Sequence, residues 1–71
     1  MGNIFKKYKV FKVSTDLEED YYVFSNDINQ INEKLYEKYQ SKNPEKINLI
    51  YVGSTDDIYK AKKVGKQIIS L

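Results

Sequence analysis

Ile47-Asn48-Leu49-Ile50-Tyr51-Val52 decides how this chain is read, together with the Gly53-Ser54-Thr55-Asp56-Asp57 that follows it. The hexapeptide is β-branched and aromatic, and apart from Asn48 it is apolar at odd and even positions alike. That is the pattern of a strand covered on both faces, so it is expected to be the best-protected strand of the fold. The next five residues then break the strand and start a helix. Ser54 and Asp57 have capping-box spacing, and the carboxylates sit favourably near a helix amino end. Ile58, Ala61, Val64, Gly65 and Ile68 supply the inner stripe of that helix, with Lys60, Lys62, Lys63 and Lys66 facing outward or toward its carboxyl end.

Upstream lies another helix of about four turns, in which Ile28, Ile31, Leu35 and Tyr39 recur at steps of three and four. Ser25-Asn26-Asp27 starts it, with capping-box spacing from Asp27 to Gln30, and Asn43-Pro44 stops it because proline disfavours helical geometry in the residue before it. Two extended segments come first, Lys7 to Thr15 and Tyr21 to Ser25. In the first, Tyr8 and Val10 share one parity while Phe11 and Val13 share the other, which indicates a bulge or burial of both faces. The acidic stretch between them, Asp16 to Asp20, reads as a solvated hairpin turn. The order β-β-α-β-α predicts a two-layer α+β domain over residues 1–71, a three-stranded sheet with both helices packed on one face. The other face then needs external cover, and a second copy of the chain is the simplest source. No internal repeat stands out.

Composition narrows the function more than any motif does. The 71 residues include no His, Cys, Arg or Trp, so most side chains that carry catalysis, thiol chemistry or soft-metal binding are missing. No cofactor and no metal ligand set is expected. A chain this short has a thin core, and small domains often add stability by self-association, which makes a homodimer an expectation. Seven of the aromatic residues are Tyr, a side chain suited to half-buried edges and contact surfaces. No apolar run approaches the ~20 residues of a membrane span, and residues 1–12 lack the apolar stretch of a secretion signal; a cytoplasmic protein with no membrane role is expected. The abundance of Lys, Asn, Ile and Tyr resembles products of AT-rich genomes, including phages and other mobile elements.

Three places are candidates for contact. The first is the open side of the sheet, where Tyr22, Phe24 and Tyr51 are the expected partner-binding residues. The second is basic: Lys6, Lys7, Lys9 and Lys12, then Lys60, Lys62, Lys63 and Lys66, interleaved with Tyr8, Phe11 and Tyr59. Lys7, Lys9, Lys60 and Lys63 are the expected contacts of a sequence-tolerant nucleic-acid binder, although the net charge is only +2. The third is the Gly53 to Asp57 junction, read as a helix cap in preference to a ligand loop. Its Tyr51-Val52-Gly53-Ser54-Thr55 resembles the second half-motif of the GIY-YIG nucleases, which would imply metal-assisted DNA cleavage. That family's Gly-Ile-Tyr strand and catalytic arginine have no counterpart here. The expectation is therefore a small non-enzymatic interaction protein, a regulator or inhibitor that binds a protein partner or itself, with the nucleic-acid binder as the alternative.

Overall fold

The two amino-terminal extended segments form a hairpin in the computed structural model, which describes residues 7–71. Lys6 and the rest of the amino-terminal start lie outside the described residues. Strand β1 (Tyr8–Thr15) pairs antiparallel with β2 (Tyr21–Ser25), setting Val10 opposite Phe24 and Phe11 opposite Val23. Successive strand residues point to opposite faces, so Phe11, Val13 and Val23 enter one side of the sheet while Val10 and Phe24 enter the other. All five are buried. The change of parity within β1 is therefore burial of both its faces.

Helix α1 (Ile28–Tyr39) covers the first face, packing Ile31, Leu35 and Tyr39 onto Phe11, Val13 and Val23. Asp27 caps it by accepting the Asn29 amide at 3.0 Å, while Gln30 bonds the Ser25 hydroxyl instead of closing a capping box. Ile28 stays exposed at the helix mouth. After Tyr39 the chain turns through Asn43, whose φ of 47° is left-handed, a conformation asparagine tolerates well. It then enters β3 (Ile47–Thr55), antiparallel to β1.

Helix α2 (Ile58–Val64) lies on the opposite face from α1: Ala61 and Ile58 pack with Val10, Phe24 and Tyr8. A short β4 (Lys66–Gln67) pairs parallel with β2, and a closing 3-10 turn (Ile68–Ser70) returns Ile68 to the α1 side. The domain is thus α+β as expected, but its sheet has four strands in the order β3-β1-β2-β4 instead of three. The helices take both faces instead of one. Ile68 belongs to the core opposite α2 and not to the stripe of that helix. β3, expected to be the most buried strand, is an edge.

A single bulge explains the placement of α2. Both helices begin in the same way: a hydroxyl two residues before the capping Asp accepts that Asp's amide, Ser25 for Asp27 at 3.0 Å and Thr55 for Asp57 at 3.1 Å. The segments Tyr22-Val23-Phe24-Ser25-Asn26-Asp27-Ile28 and Tyr51-Val52-Gly53-Ser54-Thr55-Asp56-Asp57-Ile58 repeat this strand-to-helix passage, the second with one extra residue. In each the hydroxyl points to the face on which its helix lands: Ser25 shares parity with Val23, and Thr55 pairs with Tyr8. Tyr51 pairs with Phe11 and Gly53 with Val10, which leaves Val52 as an inserted residue. The bulge takes Val52 out of the alternation, so Thr55, four residues after Tyr51, faces the opposite side and stays across from Tyr8.

Topology requires the same result. The β2-to-β3 and β3-to-β4 connections cross the sheet in opposite lateral directions, and they share one hand only if their helices lie on opposite faces, as the uniform handedness of parallel crossovers demands. Gly65 makes the second crossover possible. A Cβ there would lie 2.6 Å from the carbonyl carbon and oxygen of Tyr22, so only glycine lets β4 approach β2. Gly65→Ala is expected to cost about 1–3 kcal/mol through overpacking, read as a lower urea midpoint.

Candidate interaction surface

Among the described residues, no strand pairs with the outer edge of β3. Along it Ile47, Ile50, Tyr51 and Val52 are 44%, 48%, 55% and 52% exposed. In a chain that is 31% charged, the nine residues of β3 contain no charge and no proline. Edge strands are ordinarily protected from pairing by lysines, prolines, shortness or bulges. Here the Val52 bulge is the one such device, and the run from Ile47 to Tyr51 before it is regular.

A shallow groove adjoins β3 on each face. On the α2 side, a cleft of 190 Å³ is lined by Val10, Val52, Gly53, Ala61 and Val64, with Lys60 among its lining residues. On the α1 side, one of 330 Å³ lies between Tyr36, Pro44 and Ile47. Tyr36 is 70% exposed, and the Tyr51 ring rests edge-on against Phe11 at 5.5 Å on that same face.

The expected partner-binding residues do not form one surface. Phe24 is fully buried beneath α2, edge-on to Tyr8 at 5.9 Å, so it is a core residue and is corrected as such. Tyr22 lies on the α2 face and Tyr51 on the α1 face. Of the expected nucleic-acid contacts, Lys60 and Lys63 lie on α2, Lys9 shares the parity of Phe11 and so faces the other way, and Lys7 is exposed just before β1. What the sequence does not foresee is the exposure of Ile47, Ile50 and Val52. Their signal is an uncharged apolar strand, a pattern that buried strands share. At the Gly53 to Asp57 junction, β3 continues to Thr55 and Asp57 caps α2 by accepting the Tyr59 amide at 2.9 Å. Ser54 takes no part in the cap.

The polar groups elsewhere lock the fold. Tyr21 and Tyr39 share a 2.6 Å hydrogen bond, the Tyr39 hydroxyl donates to Glu18, and the Lys38 ammonium lies 3.7 Å from Glu18 and over both rings. Burial pushes both phenols above their ordinary value, Tyr21 far above it, with the Tyr39 hydrogen bond and the charge of Glu18 adding to the effect at Tyr21. Both therefore stay protonated and act as donors. Among the described residues, no three acidic groups cluster to hold a metal.

Asp16 ties the hairpin turn to the chain before β3, accepting the amides of Glu45 and Lys46 at 3.1 and 3.3 Å. Partial desolvation would raise its pKa, but those two amides and the Lys46 charge outweigh it and hold the carboxyl below its ordinary value. A depressed folded pKa gives stability that is complete above the unfolded value of about 3.9 and lost as pH falls through the folded one. Urea midpoints at pH 7 and pH 3 are expected to differ less in Asp16→Asn than in the unaltered chain.

None of the described helices is long and apolar enough to cross a membrane. No protein-family model, curated protein or solved structure matches this chain.

Proposed function

We propose that this chain is a non-enzymatic binding protein of the regulator or inhibitor type, working without a cofactor in the cytoplasm, that engages a protein partner or a second copy through the outer edge of β3. The observation that carries this reading is the long uncharged edge with four exposed apolar side chains. Strand addition at such an edge draws affinity from main-chain hydrogen bonds and specificity from pockets that receive alternate side chains. The grooves flanking β3 supply one pocket on each face. The absence of His, Cys and Arg and the protonated state of the Tyr21–Tyr39 pair leave little with which to catalyse a reaction.

The test is position-specific photo-crosslinking in the native host, with a photoreactive phenylalanine analogue at Ile50 or Tyr51 and a control at Tyr59, which is 71% exposed on α2. Discrete adducts from the β3 probes and none from Tyr59 are expected. Adducts from Tyr59 alone would overturn the reading.

One observation favours nucleic-acid binding as the second reading. The Lys62 ammonium lies 5.9 Å from the centre of the exposed Tyr59 ring on α2, and Lys60 and Lys63 lie on the same helix, a charge and stacking combination used by single-strand binders. Affinity for oligonucleotides that falls steeply with salt would support it, and weak, salt-independent binding would remove it.

A further inference from the structure

We infer that the β3 edge is occupied by β3 of a second copy, paired antiparallel about Leu49, so that two four-stranded sheets join into one of eight strands. The inference rests on the reading of β3 as the binding edge and names its occupant.

The bulge selects the register. A two-fold antiparallel pair keeps each sheet face continuous only where residue parity is unbroken, and in β3 that run is Ile47 to Tyr51, whose middle residue is Leu49. Centred there, Ile47 lies opposite the second copy's Tyr51, Leu49 opposite its own equivalent, and Ile50 opposite Asn48. The first two pairings fall on the α1 face, where the half-exposed Ile47 and Tyr51 side chains cover each other twice over. Tyr51 of the second copy also comes opposite the residue that lines the groove with Tyr36 and Pro44.

Electrostatics favour the same occupant. Most partner strands would bring charges to an edge with nothing to pair them, whereas a second β3 brings none. Glu45 and Lys46, which flank the strand, fall opposite Gly53 and Val52 and not opposite like charges. The two-fold contact is self-complementary, as the commonest homo-oligomer interfaces are. An interface of this length is on the order of 1,000 Å², at the small end for stable association, so dimers are expected at roughly micromolar concentrations.

The absence of Cys gives a direct test of register. Asn48→Cys and Ile50→Cys chains are prepared separately, then mixed and mildly oxidised, while the unaltered chain is sized by light scattering across a concentration series. Directly opposed residues have Cα atoms about 4.5–5.5 Å apart, within disulfide reach, whereas identical positions are two residues out of step and beyond it. The expected results are a mass rising to twice 8.4 kDa and at least tenfold more cross-linked product in the mixture than in either chain alone. A unaltered chain that stays monomeric at hundreds of micromolar, or a dimer whose mixture cross-links no better than an Ile69→Cys control, overturns the inference. With either result, β3 photo-adducts to another protein would leave the binding reading standing, and loss of those adducts would remove it as well.

Discussion

Ala61→Asp is expected to abolish cooperative folding, although it changes one small side chain on a seven-residue helix. Ala61 is 1% exposed against Val10 and Phe24, so a carboxylate there is either buried without a partner or lifts α2 off the sheet. In the second case Val10 and Phe24 lose their cover. Burying a large apolar side chain is worth about 1.5–3 kcal/mol, and a chain of this size has a total stability of roughly 4–10 kcal/mol at about 0.05–0.15 per residue. Exposing the second core therefore removes a sum comparable with the whole. Lys62→Asp places the same charge on the exposed side of α2 and is expected to cost no more than ~1 kcal/mol. Thermal unfolding followed by circular dichroism separates the two, and an Ala61→Asp variant that melts like the unaltered chain would show that α2 does not cover this core.

Phe24→Ala is expected to lower stability by about 3–5 kcal/mol, the range for removing a fully buried aromatic ring. Tyr51→Ala, also aromatic and also on a strand, is expected to cost far less, since the ring is 55% exposed and touches the core only through its edge contact with Phe11. Urea titration of both variants gives the comparison. Equal losses would mean that Phe24 and Tyr51 have been assigned to the wrong environments.

The contrast between those residues shows what could be read from sequence and what could not. The hairpin, the capping role of Asp27, and the stripe Ile31, Leu35, Tyr39 follow local rules, and the structure contains them, whereas the second cap falls on Asp57, three residues beyond the expected Ser54. The apolar residues on both parities of β1 leave a bulge or burial on two sides open, and the structure shows burial on two sides. β4 escaped notice because Lys66-Gln67 has no strand pattern and owes its pairing to the close approach that Gly65 permits. The face of α2 follows from Thr55 lying opposite Tyr8, and that register, with its bulge at Val52, is defined by the partner strand, which sequence does not reveal. β3 differs from expectation for another reason. Its apolar pattern is that of a buried strand, yet among the described residues none of its side chains is fully covered. In physical terms the strand is an edge with the composition of an interior strand, and the binding proposal rests on that mismatch.

The most direct measurement is residue-resolved amide hydrogen exchange on isotope-labelled chain, compared between a dilute purified sample and native-host extract. Contact through β3 predicts that the added protection in extract falls on outward-facing amides between Ile47 and Tyr51, while amides of β1 and β2 exchange as before. Added protection confined to α2 or the hairpin turn, with β3 unchanged, would contradict the account.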